Sequence, residues 1–319
     1  FKCREFNPKK NYLNHIRKLV DLKKIKQAKL RIAVEFMHGT GRGYLDTLLE
    51  ESKAKITRFH EKLNPLFGGG SPEPNEAGMS EAALFIRKGK ADLALGLDGD
   101  ADRFGIVDKD GTWITPNQIL TLTLYHLKKN RGKKGAVVRT VPTSHQVDAV
   151  AKLFNVKVYE TPVGFKHIGE LMEREPIIVG GEESGGLSIG NHIPEKDGIL
   201  ACLLMAELVA TEKKPLGQIL KNLEKQIGCF YTDRINIDLP NKKKDFILQK
   251  LRIGFSKIGK FSVEKFIKTD GFKFILKNDE WVCFRASGTE PVIRCYLEAK
   301  NSLHLKQLKS ACRKILSIK

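Results

Sequence analysis

The chain has 319 residues, of which 41% are hydrophobic and 29% charged, and this composition excludes a disordered or fibrous protein. The formal net charge of +19 raises nucleic acid as a partner, but the lysines are scattered in short groups and aromatic residues do not alternate with them. We therefore expect no nucleic-acid binding. The longest apolar stretch, Ile199 to Ala210, is about half of the ~20 residues that a bilayer requires, and it predicts a buried helix without any membrane partner.

The start of the sequence and its cysteines indicate the cellular compartment. The sequence begins at Phe1 and shows no charged segment followed by an apolar core, so we expect no secretory signal, and we interpret the start as a cut or a fragment edge. The six cysteines have no C-x-x-C spacing, and reduced, buried thiols are the expected state. These features predict a cytoplasmic protein.

Alternating apolar residues predict a first α/β unit. Strands at 30–36 and 56–59 flank a helix that ends near Leu49, which gives the beginning of a β-α-β arrangement. A turn-rich segment follows, then a helix at 80–88 and a strand at 91–97.

The next six residues, Asp98-Gly99-Asp100-Ala101-Asp102-Arg103, place three carboxylates at alternate positions directly before an arginine. Because open α/β sheets bind ligands at the carboxyl ends of their strands, this loop predicts a small divalent cation that holds a phosphate. Hard oxygen ligands favour Mg²⁺. A solvated acidic turn is the plain alternative.

Acidic loops also occur in two other kinds of protein. An EF-hand requires glycine at its sixth position and glutamate at its twelfth, where this chain has Arg103 and Lys109, so an EF-hand is excluded. An aspartyl-phosphate phosphatase, with Asp98 as nucleophile, stays open. It is weakened because no Asp-Asp pair occurs in the chain to hold its metal.

A second α/β unit is predicted beyond residue 114. Its helices are expected at 117–128 and 144–154, and its strands at 135–140, 156–159 and 177–179. A glycine-rich loop, 180–186, then precedes a helix that we expect to start near Glu195. Glycine lets the backbone approach a ligand, and the carboxylate of Glu182 with the hydroxyl of Ser184 can bind sugar hydroxyls, although a simple turn is the alternative.

Beyond Ile227 the pattern changes to strand, helix, paired strands, strand and a terminal helix from Ser302, which predicts a smaller α+β unit. Its segment 284–291 carries Arg285, which can bind a phosphate with two parallel hydrogen bonds. Ser287 and Thr289 with nearby backbone N–H groups can form an anion nest, and a structural turn is the alternative. The predicted fold class is α/β, with two consecutive α/β/α mixed-sheet domains and a smaller α+β C-terminal domain. The predicted boundaries are 1–113, 114–228 and 229–319.

These three loops in this order, with Thr161-Pro162-Val163-Gly164-Phe165-Lys166 ahead of the second, resemble the phosphohexomutases, the phosphoglucomutase and phosphomannomutase family. The resemblance covers almost the whole chain from about Tyr12. It implies Mg²⁺ as cofactor and assigns roles residue by residue. The metal ligands would be Asp98, Asp100 and Asp102. Arg103 would lie beside the transferring phosphate, and Lys196 matches a lysine near the active site of the glucose-type members, so these two are the expected catalytic residues. The residues expected to bind the sugar and the non-transferring phosphate are Gly164, Glu182, Ser184, Arg285, Ser287, Gly288, Thr289 and Arg294.

The family also carries a phosphorylated serine, in a Ser-His-Asn-Pro loop of its first domain. That loop does not occur in this sequence, where the Ser-His pair at 144–145 is followed by Gln146. Ser144, His145 and Asp148 begin a predicted helix, so they are not expected to form a hydrolase triad, and Ser144 is interpreted as a cap. The resemblance thus implies domains two to four of a mutase, inactive alone, with a first domain expected in the full-length chain.

The implied reaction interconverts hexose 1-phosphate and hexose 6-phosphate through a bisphosphate, with glucose 1,6-bisphosphate as activator of the full-length enzyme. Family members with a histidine in the sugar loop place it where Gly186 stands here, and this departure, with Lys196, favours glucose over mannose. Glucosamine phosphate stays open. A non-catalytic phosphosugar-binding protein, which keeps the loops without the chemistry, is the alternative from another class.

Overall fold

A computed structural model of the chain describes residues 5–238, 240–286 and 292–316. Three β-sheets follow one another along the chain, with five, four and six strands. Helices accompany each sheet, which confirms the predicted class of two α/β units followed by an α+β unit. Within the described ranges, no helix is long and apolar enough to cross a membrane.

The first unit is a mixed five-stranded sheet with helices. Its strand order is β2-β1-β3-β4-β5, in which β1 pairs in parallel with β2 and β3, and the remaining pairs are antiparallel. All five residues of β3 are buried, which explains their continuous apolar run, and the acidic loop lies at its carboxyl end. The elements are α1 (Lys9–Leu19), α2 (Leu22–Ala28), β1 (Arg31–Glu35), α3 (Leu45–Glu51), β2 (Lys55–Phe59), α4 (Ser80–Arg87), β3 (Leu93–Leu97), β4 (Phe104–Val107) and β5 (Trp113–Ile114).

The second unit has a four-stranded sheet in the order β7-β6-β8-β9, with β6 parallel to β7 and β8, and β9 antiparallel to β8. The helix expected near Glu195 begins at Gly198, because the Asp197 carboxylate caps it by accepting from the backbone N–H of Leu200 at 2.9 Å. The elements are α5 (Pro116–Lys129), β6 (Ala136–Thr140), α6 (Gln146–Leu153), β7 (Val158–Thr161), α7 (Phe165–Arg174), β8 (Ile177–Gly181), β9 (Leu187–Ile189), α8 (Gly198–Glu212) and α9 (Leu216–Ile227).

Helix α8 joins the first two units. It is buried along nearly its whole length and packs against α2, α3, β3 and β4 of the first unit and against α5 and β9 of the second. Its buried carboxylate, Glu207, is paired with Arg131 at 2.7 Å and hydrogen-bonded to His126 and to the backbone N–H of Asp21. The two units share one hydrophobic core, so the acidic loop and the sugar loop are fixed relative to each other.

The third unit is an antiparallel six-stranded sheet in the order β10-β15-β14-β13-β12-β11. Helices α10 and α11 cover one face and form a separate core with it. On the other face, Trp281, Cys283 and Tyr296 pack against Val141 of the second unit. The elements are β10 (Tyr231–Asp238), α10 (Asn241–Ile253), β11 (Lys257–Ile258), β12 (Phe261–Ile267), β13 (Phe272–Leu276), β14 (Trp281–Ala286), β15 (Val292–Ala299) and α11 (Ser302–Ile315).

Two further predictions from the sequence concern the domain boundaries and the burial of the cysteines. The boundaries after residues 113 and 228 stay a prediction, and β5 extends to Ile114. The described cysteines are free thiols. The expectation of burial is wrong for Cys229, which follows α9 and is exposed, and right for Cys202, Cys283, Cys295 and Cys312.

Candidate active-site cleft

The loop between β3 and β4 brings three carboxylates together. One oxygen from each of Asp98, Asp100 and Asp102 lies within 4.8 Å of the other two. Asp98 is buried, whereas Asp100 is exposed. The cluster therefore opens to solvent on one side, which would leave a bound cation free to take a further oxygen from a ligand.

Backbone hydrogen bonds from two neighbouring segments hold this loop. The N–H of Thr40 donates to the carbonyl of Gly99 at 3.0 Å, and the N–H of Gly198, the first residue of α8, donates to the carbonyl of Ala101 at 3.1 Å. Ala101 itself has a φ of +65°, a left-handed conformation that is unfavourable for a residue with a side chain. The neighbours thus stabilise a strained turn, and the strain is located at the candidate site.

The electrostatics of the loop centre on Asp98. Its carboxylate accepts hydrogen bonds from the backbone N–H of Arg103 at 2.9 Å and from the guanidinium Nε at 2.8 Å. Burial and the adjacent charge of Asp102 nevertheless raise the pKa of Asp98 to about 6. Burial thus opposes ionisation of Asp98, and the two hydrogen bonds from Arg103 favour it.

A second cation, Lys196, reaches the same loop. Its Nζ donates to Asp102, and this hydrogen bond raises the pKa of Lys196 although burial opposes the shift. The adjacent residue, Asp197, accepts from the hydroxyl of Tyr12 at 2.8 Å and is hydrogen-bonded to His192 at 2.8 Å. His192 is in turn hydrogen-bonded to His15 at 3.1 Å. This network fixes the backbone from which the Lys196 side chain extends.

The predicted sugar loop, between β8 and β9, is a tight turn. The N–H of Glu182 donates to the carbonyl of Gly186 at 2.9 Å. The Glu182 carboxylate, only 7% exposed, accepts from the backbone N–H of Gly164 at 2.9 Å and from the hydroxyl of Ser184 at 3.3 Å. The structure thus brings together Gly164, Glu182 and Ser184, three of the residues predicted for this site.

The acidic loop and the sugar loop are in direct contact. Arg103 and Gly186 form an antiparallel β-bridge. A Cβ atom on Gly186 would lie 2.4 Å from Cδ of Lys196, far inside van der Waals contact. Glycine at this position therefore leaves the space through which the Lys196 side chain passes to Asp102.

The third unit carries three arginines on one surface of its sheet. Arg285, near the end of β14, lies opposite Arg294 in β15, and Arg234 in β10 lies opposite Tyr296. Because directly opposite residues of antiparallel strands share a face, these side chains belong to one surface of the sheet. The Nε of Arg285 donates to Asp270 at 3.0 Å. Three predicted phosphate ligands lie outside the described residues: Ser287, Gly288 and Thr289.

One cavity of about 320 Å³ connects the three units. It is lined by Arg103 from the acidic loop, by Glu183 and Ser184 from the sugar loop, and by Arg234 and Tyr296 from the third unit. Its volume is at the lower end of the range for small-molecule sites. Arg103 and Arg234 thus bring cations to the cavity from two units, and the carboxylates of Glu73 and Asp233 also line it.

Comparison with protein-family models identifies the fold in consecutive segments. Residues 10–111 match phosphoglucomutase/phosphomannomutase alpha/beta/alpha domain II, residues 115–227 match alpha/beta/alpha domain III, and residues 235–315 match the C-terminal domain. The chain belongs to the phosphoglucomutase/phosphomannomutase family. The order of the three matches is the order of the three loops along the sequence.

Individual family members agree with this assignment. A phosphoglucomutase/phosphomannomutase of Thermococcus kodakarensis is 29% identical over 292 residues, which cover 92% of this chain and 62% of that protein. A phosphoglucosamine/phosphogalactosamine mutase of Sulfurisphaera tokodaii is 30% identical over 306 residues, 96% of this chain and 66% of that protein. The open form of Paramecium parafusin, a phosphoglucomutase, superposes with a TM-score of 0.81 at 25% identity, covering 97% of this chain and 62% of that one. The chain spans less than two thirds of the length of these relatives.

Two carboxylates near the candidate site, Glu183 and Asp270, were not predicted from the sequence. Glu183 accepts from the hydroxyl of Thr140 at 3.1 Å, and burial together with the charge of Glu182 raises the pKa of Glu183. Asp270 lies between β12 and β13, and the sequence gives no sign that it contacts another unit. Glu183 could have been found from its position in the sugar loop, between Glu182 and Ser184, but only those two neighbours were predicted to bind the sugar.

Proposed function

We propose that this chain provides the metal, sugar and phosphate sites of a phosphohexomutase, which interconverts hexose 1-phosphate and hexose 6-phosphate through a bisphosphate intermediate. The observation that carries the proposal is the meeting of the three units. Arg103 of the acidic loop pairs with Gly186 of the sugar loop in a β-bridge, and Arg234 of the third unit lines a cavity together with Arg103 and Ser184. A ligand with phosphate at both ends and hydroxyls between them matches this order of groups.

The metal in this proposal is Mg²⁺, held by Asp98, Asp100 and Asp102. The fit rests on three hard oxygen donors within 4.8 Å of one another and on the exposure of Asp100, which opens the cluster to solvent. When bound, the ion would supply neutralisation of charge on the transferring phosphate. Arg103 and Lys196 lie beside the same carboxylates and would orient that phosphate.

Glu182 and Ser184 would orient the sugar by hydrogen bonds to its hydroxyls, with the Glu182 carboxylate already aligned by the N–H of Gly164. Arg285 and Arg294, with Ser287, Gly288 and Thr289, would bind the non-transferring phosphate. Since both ends of the bisphosphate carry the same group, either end could face the metal, and glucose 1,6-bisphosphate would serve as activator. The contact between Gly186 and Lys196 supports glucose phosphate as the preferred substrate, because a larger residue at 186 would displace the lysine.

The phosphoryl donor in this proposal is the serine of a Ser-His-Asn-Pro loop. That loop does not occur in these 319 residues. We propose that turnover requires a serine-bearing domain and takes place in the cytoplasm, where the free thiols would stay reduced. A groove of about 970 Å³ beside Asp100 and Asp102 leaves the acidic loop accessible to such a serine. The phosphatase alternative is disfavoured because the sequence contains no Asp-Asp pair that could hold its metal.

Conversion of glucose 1-phosphate to glucose 6-phosphate, followed by ³¹P NMR, tests the proposal. The assay contains Mg²⁺ and catalytic glucose 1,6-bisphosphate, and it uses the chain alone and the chain fused to the first domain of a family member. Parallel reactions with mannose 1-phosphate and glucosamine 1-phosphate measure the preference. We expect turnover only in the fusion, with glucose phosphate fastest. Turnover by the chain alone, or turnover that survives replacement of the donor serine by alanine, would contradict the mechanism.

A further inference from the structure

One carboxylate of the third unit contacts both the phosphate side and the sugar side of the cleft. Asp270, between β12 and β13, accepts a hydrogen bond from the Nε of Arg285 at 3.0 Å. The same oxygen accepts from the backbone N–H of Val163 at 2.7 Å, across the boundary to the second unit. Asp270 thus links an arginine of the phosphate side to the loop that follows β7.

The next amide along that loop is held from the other direction. The N–H of Gly164 donates to Glu182 at 2.9 Å, and Gly164 has a φ of +124°, which a residue with a side chain rarely adopts. Two consecutive N–H groups are therefore bound by carboxylates from two different units. The side chains of Asp270 and Arg285 are 21% and 20% exposed, so water screens their ion pair less than it would at the surface.

We propose that Asp270 is a positioning residue that couples the phosphate-binding arginine to the sugar-binding loop. This inference rests on the proposed function and adds to it a coupling between the phosphate side and the sugar side of the cleft. Asp270 fixes the Nε edge of Arg285 and leaves the other guanidinium N–H groups for a phosphate. Because the same carboxylate holds Val163, the arginine has its productive orientation only when the loop carrying Gly164 is docked against the third unit.

The coupling predicts a selective effect on ligands. Inorganic phosphate needs the charge of Arg285 but not the sugar loop. A hexose phosphate needs both groups at a fixed separation. Loss of the Asp270 charge is therefore expected to weaken the hexose phosphate about tenfold, within the usual range for coupled sites, while inorganic phosphate changes by less than about threefold. General loosening of the third unit would instead weaken both ligands alike.

Isothermal titration calorimetry on the full 319-residue chain tests the proposal, with glucose 1-phosphate and inorganic phosphate as titrants for wild type and Asp270→Asn. The matched control is Glu280→Gln. Glu280 is a buried carboxylate of the same unit, and its partners, the N–H of Lys300 at 3.0 Å and His304 at 2.7 Å, are also in that unit. We expect the ratio of the two affinities to fall about tenfold in Asp270→Asn and to stay at the wild-type value in Glu280→Gln.

Amide hydrogen exchange gives a second, ligand-free readout on the same three proteins. The N–H groups of Val163 and Gly164 are expected to exchange faster in Asp270→Asn and at the wild-type rate in Glu280→Gln. If wild type binds glucose 1-phosphate but Asp270→Asn keeps its affinity ratio, the coupling is overturned and the proposed function stands. If wild type binds no hexose phosphate, the proposed function fails and the coupling fails with it.

Discussion

The acidic loop takes its three carboxylates from five consecutive residues, whereas the sugar and phosphate side takes its groups from four separate segments, represented by Gly164, Glu182, Asp270 and Arg285. The first arrangement depends on one strand and one turn, which are set by local sequence. The second depends on how the third unit docks on the second. We therefore expect the two sides to respond differently to substitution, and a variant that damages docking should spare the metal site.

The largest effect is expected from Lys273→Met. Lys273 is 1% exposed and lies between the second and third units, where its Nζ donates to the carbonyl of Val141 at 2.7 Å and to Glu160 at 3.0 Å. Its removal leaves the Val141 carbonyl without this donor and leaves Glu160 with Arg139 as its partner at 2.6 Å, so the free energy of unfolding should fall by ~1–3 kcal/mol in urea titrations. Lys309→Met, which removes an ion pair with Asp233 nearer the surface, should change it by less than ~1 kcal/mol. Equal effects of the two variants would argue against docking through Lys273.

The next largest effect is expected at the acidic loop, whose ligands come from one short segment. Asp98→Asn removes a charged ligand oxygen from the acidic cluster, so Mg²⁺ affinity measured by calorimetry should fall at least ~10- to 100-fold, as for other perturbed metal sites. Binding of inorganic phosphate should stay near the wild-type value, because the phosphate side lies in another unit. Asp110→Asn, in an exposed turn of the same unit, is the control and should leave Mg²⁺ binding intact. Unchanged Mg²⁺ affinity in Asp98→Asn would remove Asp98 from the site.

A smaller, pH-dependent effect concerns the docking surface. Burial and the charges of Lys273 and Arg139 lower the pKa of His145 below its ordinary value of 6.5. The unfolded chain therefore binds a proton that the folded chain resists, so stability is complete above pH 6.5 and is lost as the pH falls below it, by up to ~1.4 kcal/mol per pH unit.

His145→Gln should reduce this slope, because glutamine binds no proton. The measurement is the free energy of unfolding between pH 7.5 and 5.5 for both proteins. Burial raises the pKa of Glu298 in the same interface, and this gives the opposite slope, so only the difference between wild type and variant reports His145. Identical slopes would mean that His145 is protonated in the folded protein.

The smallest effect is expected for Ser184→Ala, which removes one hydroxyl from the sugar loop. Glucose 1-phosphate binding should weaken about three- to tenfold, the loss of one hydrogen bond, while inorganic phosphate binding stays constant. Ser80→Ala, at the exposed start of α4, provides the control. Equal weakening of both ligands by Ser184→Ala would place the serine on the phosphate side of the cleft.

The same contrast explains what the sequence could predict. Three aspartates at alternate positions after an apolar strand indicated a ligand cluster, and Asp98, Asp100 and Asp102 do converge, because a short turn after a buried strand has few conformations. The continuous apolar run at 199–210 predicted the buried helix α8. The family resemblance indicated only that Lys196 lies near the active site. Its contact with Asp102 was not predicted, because the two residues are 94 positions apart.

Features that depend on docking were not predicted. Helix α7 was missed because Pro162 and Gly164 indicate a loop, and the helix begins directly after that glycine. The contact of Asp270 with Val163 joins residues 107 positions apart in different units, and neither lies in a periodic pattern that could indicate the pairing. Contacts between side chains of different units depend on how the units pack together, and local sequence patterns do not contain this information.

The most direct test of the central claim is a crystal structure of the chain with Mg²⁺ and glucose 1,6-bisphosphate. The account predicts Mg²⁺ on Asp98, Asp100 and Asp102, one phosphate beside Arg103 and Lys196, the other on Arg285, and sugar hydroxyls against Glu182 and Ser184. A bisphosphate bound outside this cleft, or a metal held by other residues, would contradict it.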